Sequence, residues 1–70
     1  MLKSQRHDVI LHQLLASGAV LVTALADELS VDPVTIRRDL AQLEKLGKLH
    51  RVHGGAVARQ PVAGHASAPD

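Results

Sequence analysis

The amino-acid sequence predicts a winged helix-turn-helix fold, mainly α with a small β wing, on three observations. Apolar residues recur at helical spacing in three separate segments. A short β-prone run at residues 19–22 separates the first two of these segments. A Gly-Gly pair, Gly54-Gly55, lies between two short segments that can pair as strands. Three helices and a hairpin are the elements of a winged helix, and 70 residues allow one small domain.

The first predicted helix covers residues 4–17. Ser4 can cap its N-terminus, because a serine hydroxyl accepts a hydrogen bond from a free backbone N–H group of the first turn. Gly18 ends the helix, since glycine adopts the left-handed conformation that terminates helices. Its apolar positions are Ile10, Leu11, Leu14 and Leu15. The run at residues 19–22 then predicts one strand of a small sheet.

The second predicted helix covers about residues 24–30. Thr23 is a suitable N-cap for it, because threonine carries a hydroxyl acceptor. Leu25 and Leu29 are four residues apart, so they lie on one side of this helix and are expected to be buried. A turn of residues 30–32 follows and completes the first half of a helix-turn-helix.

The third predicted helix covers residues 33–46 and is the candidate recognition helix. Asp32 can cap its N-terminus, Pro33 suits the first helical position, and Gly47 ends it. At 100° per residue, one stripe of this helix is apolar and must face the core. The stripe consists of Ile36, Leu40, Leu43 and Gly47, with Leu46 at its edge. Opposite it lie Val34, Arg38, Ala41 and Lys45, flanked by Thr35, Arg37 and Gln42.

The outward face of this helix offers the groups that contact base edges in DNA. Arginine pairs with guanine, glutamine with adenine, and small apolar groups contact the thymine methyl. Arg38 points most directly outward and is expected to contact a base, whereas Arg37 on the flank can reach a phosphate instead. The alternative is an ordinary solvated face of an amphipathic helix. The candidates for DNA contact on this face are Val34, Thr35, Arg37, Arg38 and Gln42.

The hairpin that follows is predicted to form the wing, with strands at residues 48–53 and 56–59 joined by Gly54-Gly55. Arg51 and His53 share one face of the first strand. We expect Arg51, His53 and Gly54 to approach DNA beside the third helix. His50 and His53 lie on opposite faces, and the chain has no cysteine, so we predict no metal site. Residues 1–59 are expected to form the domain and residues 60–70 a flexible tail or truncated linker.

Composition narrows the functional class. Net charge is +1, but residues 1–31 carry −1 and residues 32–59 carry +3, so positive charge is concentrated in the third helix and wing. No apolar run approaches the roughly 20 residues that span a membrane, and we find no signal peptide. No catalytic constellation emerges. We expect a cytoplasmic binding domain that is not an enzyme, with no cofactor.

Three strings of the sequence resemble the N-terminal DNA-binding domain of DeoR-type bacterial transcriptional regulators. The resemblance covers about residues 6–57. The strings are Val31-Asp32-Pro33-Val34-Thr35-Ile36-Arg37-Arg38-Asp39-Leu40, Leu43-Glu44-Lys45-Leu46-Gly47 and Arg51-Val52-His53-Gly54-Gly55-Ala56. It implies a domain that binds a double-stranded DNA operator, in a regulator that is a repressor. Thr35, Arg37 and Arg38 match the string of the recognition helix.

The resemblance also implies a further domain that this chain lacks. In DeoR-type regulators, a C-terminal domain senses a phosphorylated sugar or related metabolite and drives oligomerisation. The chain ends where that domain would begin, so we expect it to be monomeric and to bind no effector. The runner-up function is a winged helix that binds another protein and has no specific affinity for DNA.

Two aspartates need separate explanations. Asp39 belongs to the resembling string but lies between the core stripe and the surface, so its carboxylate needs a partner. We predict a tertiary bond to a cation such as Arg6 or Arg51. Asp32 departs from the family, in which serine is usual at this position. Aspartate can cap the helix but cannot donate a hydrogen bond to phosphate.

Overall fold

The computed structural model describes residues 1–59, and the predicted tail at residues 60–70 lies outside the described residues. The elements are α1 (Lys3–Ser17), β1 (Ala19–Leu21), α2 (Val22–Leu29), α3 (Pro33–Lys45), β2 (Leu49–Val52) and β3 (Gly55–Ala58). Their order is the predicted one. The fold class is therefore confirmed, with three helices and a small antiparallel sheet.

The core is aliphatic and lies between the three helices and the sheet. Its buried residues are Ile10, Leu14, Val20, Val22, Leu25, Ala26, Ile36, Leu40, Leu43, Leu49 and Ala56. Leu11 and Leu29 are only partly buried against it. Leu15, the remaining apolar position of the first helix, lies outside the core, because its side chain is 87% exposed. Leu15 follows Leu14 directly, so the helical turn of 100° carries it off the buried side.

All three strands belong to one sheet, in the order β1-β3-β2. Strand β3 pairs antiparallel with both of its neighbours. Its Ala56 lies opposite Val20 of β1 on one side and opposite Arg51 of β2 on the other. The wing hairpin is thus joined to the strand that precedes α2. Two further backbone hydrogen bonds hold the hairpin at its two ends. Val22 N–H donates to the Gly54 carbonyl at the turn, and Ala58 N–H donates to the Gly18 carbonyl at the end of β3, both at 2.9 Å.

The hairpin turn is shifted by one residue from the predicted Gly54-Gly55 pair. Val52 pairs with Gly55, so the turn consists of His53 and Gly54, and of the two glycines only Gly54 has a positive φ, of +78°. Gly55 lies in β3 for a different reason. A Cβ atom added there would stand 2.0 Å from the Val20 carbonyl oxygen. Glycine is required at this position by the close approach of β1.

The helix N-termini differ from the predicted caps. Helix α1 begins after Leu2, whose N–H donates to the Gln5 side chain at 2.9 Å, so Ser4 is not the cap. Strand β1 runs directly into α2 with Leu21 at the N-cap position, so Thr23 is not a cap either. A carbonyl from the wing accepts the first N–H of α2, which leaves less for a side-chain cap to satisfy.

The turn between α2 and α3 is closed by backbone bonds. Ser30 ends α2 in the left-handed conformation with φ of 57°, and Val31 N–H donates to the Ala26 carbonyl at 3.0 Å. Helix α3 then begins at Pro33 with Asp32 at the N-cap position, as predicted. The Asp32 carboxylate, however, makes no capping hydrogen bond. The predicted capping role of this side chain is therefore wrong, although its position is confirmed.

Gly55→Ala is expected to destabilise the domain by about 3 kcal/mol or more, the upper end of the cost of overpacking. The methyl group meets backbone atoms of β1, so no rotamer change can relieve the contact. Gly18→Ala is the matched control, since a Cβ there meets nothing within 4 Å and only the left-handed φ of +85° is strained. That strain costs about 1–2 kcal/mol. Urea unfolding of both variants tests this, and equal losses would contradict the steric role of Gly55.

Candidate nucleic-acid interface

A buried carboxylate on the inner side of α3 joins this helix to α1. Asp39 is 3% exposed and is the buried charged residue within residues 1–59. Two atoms of Arg6 donate to it, Nε to Oδ2 at 2.5 Å and Nη2 to Oδ1 at 3.1 Å. His7 Nε2 lies 3.2 Å from Oδ1. The predicted bond from a cation is confirmed for Arg6, whereas Arg51 takes no part in it.

The charge of Asp39 is maintained by these partners. Burial by itself would raise the pKa of this carboxyl, but hydrogen bonds from Arg6 and His7 and the attraction of their charges outweigh it. The pKa of Asp39 therefore lies below its ordinary value of 3.8. The same hydrogen bond raises the pKa of Arg6. The pair links α1 to α3 in its ionised form.

The residues predicted to contact DNA from α3 lie on its outer side. Val34, Arg37, Arg38 and Gln42 are exposed, and Thr35 is half-buried. Ile36, Asp39, Leu40 and Leu43 are buried on the inner side. The bonds from Arg6 and His7 to Asp39 and the burial of the leucines together determine which side chains of α3 face outward. The outer side is polar and basic apart from Val34, which is 48% exposed.

The structure brings three of the predicted residues around one cleft between α3 and the wing. Arg37 from α3, Arg51 from β2 and Gly54 from the hairpin turn line it, and its volume is about 60 Å³. Arg51 lies two residues after the buried Leu49 and so faces the same side of the sheet, toward α3. Two arginine residues therefore line a cleft that is large enough for a small polar group but not for a metabolite.

The other predicted residues do not line this cleft. Val34, Thr35, Arg38 and Gln42 lie elsewhere along α3, and His53 occupies the exposed first position of the hairpin turn. Strand β2 is shorter than predicted by one residue at each end, which is why His53 falls in the turn. Arg38 is exposed on the side of α3 opposite the core, as the helical periodicity predicted.

Glu44 connects α3 to the wing, although the sequence did not indicate it. Its Oε2 atom accepts a hydrogen bond from the backbone N–H of Arg51 at 3.0 Å. Nearby, Lys48 N–H donates to the Leu43 carbonyl at 2.9 Å. No sequence pattern points to a bond between a helix carboxylate and a strand amide, because the register that brings them together is set by tertiary packing.

Other kinds of site find little support in the described part of the chain. Within residues 1–59, no three histidine, aspartate or glutamate side chains converge where they could hold a metal ion. Over the same range, none of the helices has the length and apolar character needed to cross a membrane.

Comparison with known proteins shows the family of the chain. Residues 6–62 match the DeoR-like helix-turn-helix domain. The curated proteins that match include the HTH-type transcriptional regulator UlaR of Escherichia coli strain K12 / DH10B and that of Shigella boydii serotype 18. Each is 40% identical over 58 residues, which are 83% of this chain and 23% of the relative. The chain thus spans about a quarter of these relatives' length. No solved structure matches it.

Acidification is expected to weaken the domain through Asp39. Because its folded pKa lies below the ordinary 3.8, its contribution is complete above about pH 4 and is lost as pH falls through the folded value. Asp39→Asn should lower the free energy of unfolding at pH 7 by about 1.5–3 kcal/mol, the worth of hydrogen bonds to charged groups. Urea unfolding between pH 7 and pH 2.5 should show that the free energy of unfolding falls less steeply with decreasing pH (a flatter acid limb) for this variant than for the parent.

The matched control for this prediction is Asp27→Asn, which changes an exposed carboxylate. It should keep the acid limb of the parent protein. If Asp39→Asn retained the same acid limb as well, the bonds from Arg6 and His7 would not be what holds the folded state at neutral pH.

Proposed function

Because the chain belongs to the DeoR-like helix-turn-helix family, the DNA-binding domain of transcriptional regulators, we propose that it binds duplex DNA sequence-specifically as part of a repressor. Helix α3 is the recognition helix, and the hairpin of β2 and β3 is the wing. The observation that supports this most directly is the cleft in which Arg37, Arg51 and Gly54 meet beside the exposed outer face of α3.

In this proposal, α3 lies in the major groove with its outer face against the bases. Arg38 contacts a guanine, because its guanidinium can donate two hydrogen bonds to O6 and N7. Gln42 lies four residues further along the same face and offers an amide that suits adenine. Val34 and Thr35, near the start of α3, supply methyl groups for a thymine methyl.

The wing contacts the sugar-phosphate backbone next to that groove. Arg37 and Arg51 border one cleft, so both guanidinium groups can approach the same phosphate. His53 and Gly54 form the exposed tip of the hairpin, which can come close to the backbone because glycine has no side chain. Phosphate contacts of this kind set the register of the protein on the duplex and do not select sequence.

The whole regulator is proposed to be longer than this domain. The chain spans 23% of the curated relatives, which are named as transcriptional regulators. We propose that a further domain binds a phosphorylated sugar or related metabolite and oligomerises the protein in the cytoplasm. The domain alone is then monomeric and weak in DNA binding. The alternative, a winged helix that binds a protein partner, would lack the salt dependence expected of phosphate contacts.

Arg38→Ala is expected to weaken binding to a duplex selected from a random-sequence pool by about 1–3 kcal/mol, with little change on unselected duplex. The parent should lose affinity for both duplexes steeply between 50 and about 200 mM salt. Arg59→Ala is the matched control, since Arg59 lies at the base of the wing, outside the cleft. Fluorescence titrations measure all three proteins. Salt-independent binding, or none at low salt, would favour the protein-interaction alternative.

Asp32→Ser is expected to tighten DNA binding, most clearly at low salt, where charge repulsion is least screened. The change removes a negative charge at the start of the recognition helix and supplies a hydroxyl that can donate to phosphate. Stability should hardly change, because the Asp32 carboxylate makes no capping bond. Titrations on the selected duplex and thermal melts measure the two effects separately. Unchanged affinity would mean that the start of α3 does not lie beside a phosphate.

A further inference from the structure

We propose that Glu44 is a positioning residue that fixes the wing at the angle from which Arg51 can reach DNA. The proposal rests on the proposed function and adds to it a residue with no direct DNA contact. Its basis is the hydrogen bond from the Arg51 backbone N–H to Glu44 Oε2, at 3.0 Å. The bond joins the last turn of the recognition helix to the wing residue that lines the cleft.

Strand β2 needs such an attachment because it is the edge of the sheet on this side. The strand order is β1-β3-β2, so one side of β2 has no neighbouring strand. Edge strands expose backbone N–H groups that pair with whatever acceptor is near. Glu44 supplies that acceptor for Arg51. The bond from Lys48 N–H to the Leu43 carbonyl, at 2.9 Å, holds the preceding part of the chain to α3.

The Lys48 bond closes the C-terminus of α3 just before β2 begins, whereas the Arg51 bond attaches β2 itself to the helix. The pairing of β3 with β1, together with the bond from Val22 N–H to the Gly54 carbonyl, holds the opposite side of the hairpin. The Glu44 bond adds an attachment on the α3 side, at the edge of the sheet that β2 forms. The backbone of Arg51 is thereby held in place, and with it the point from which its side chain extends toward the cleft that it lines with Arg37.

The negative charge of Glu44 is expected to weaken DNA binding, whereas the hydrogen bond that it accepts is expected to strengthen it. The two effects therefore have opposite signs and can be told apart. A negative group in the last turn of a helix is unfavourable to the helix dipole, and it repels phosphate. Within residues 1–59, the ion pairs are those of Asp39, so the Glu44 carboxylate does not neutralise Arg51. Glu44 benefits DNA binding through the hydrogen bond it accepts.

The test compares two neutral variants, Glu44→Gln and Glu44→Ala, on the selected duplex. Both remove the charge, but only glutamine keeps an oxygen that can accept the Arg51 N–H. Glu44→Gln should bind as tightly as the parent or more tightly. Glu44→Ala should bind about 2- to 10-fold more weakly than Glu44→Gln, the equivalent of one ordinary hydrogen bond. Alanine is the better helix former, so a loss of helix stability cannot produce this difference.

A double-mutant comparison with Arg51 tests the positioning role more directly than the single variants do. In an Arg51→Ala background, Glu44→Ala and Glu44→Gln should bind DNA equally, because there is no guanidinium left to position. If the difference between them persisted there, or if Glu44→Ala bound as tightly as Glu44→Gln in the parent background, the positioning role would be overturned.

Amide hydrogen exchange tests the same bond without DNA. The Arg51 N–H should exchange slowly in the parent and in Glu44→Gln, and faster in Glu44→Ala, while the core amides of α3 keep their rates. Equal Arg51 exchange in all three proteins would overturn the proposal even if the domain binds DNA. If the parent bound no duplex, the proposed function would fail and the further inference with it, whatever the exchange rates.

Discussion

The buried bond network of Asp39 is the interaction on which the arrangement of the helices depends. Within residues 1–59, eleven aliphatic residues build the core, and the sequence contains no Phe, Tyr or Trp. Aliphatic packing is not directional. The bonds from Arg6 and His7 are directional, and they join α1 to α3 at one defined angle and rotation. A buried ion pair adds little net stability compared with apolar residues, but it strongly disfavours packings that leave its charges unpaired. It therefore specifies the geometry of α3 more than it stabilises the fold.

The wing is attached to the helices mainly by backbone groups. Strand β1 pairs with β3, and the Gly54 carbonyl accepts the first N–H of α2. This arrangement requires Gly55, since any side chain there would enter the backbone of β1. The wing tip and the beginning of α2 thus form one unit, to which α3 is joined through the side chain of Glu44. The elements proposed to contact DNA are thus linked to one another by hydrogen bonds.

Much of this structure could be predicted from the sequence, because it follows from periodicity. The buried and exposed sides of α3 and the need of Asp39 for a cation both depend on the helical repeat. The caps proposed for Ser4, Thr23 and Asp32 failed because a cap depends on where the backbone leaves the helix and on what else can reach its N–H groups. The predicted position of the hairpin turn was wrong by one residue, because the sequence did not indicate that the backbone of β1 would approach Gly55 so closely. Glu44 was missed because its bond depends on tertiary packing.

The division of α3 into two sides has a consequence for how such a domain can change over time. Val34, Arg38 and Gln42 are exposed, whereas the residues that set the pose of the helix are buried between them. Substitutions at exposed positions of this kind usually alter stability by less than about 0.5 kcal/mol. New combinations at these three positions can therefore be explored with little penalty in folding. A lineage of such proteins can diverge in the DNA sequences it prefers while the scaffold stays the same, and a designer can follow the same route.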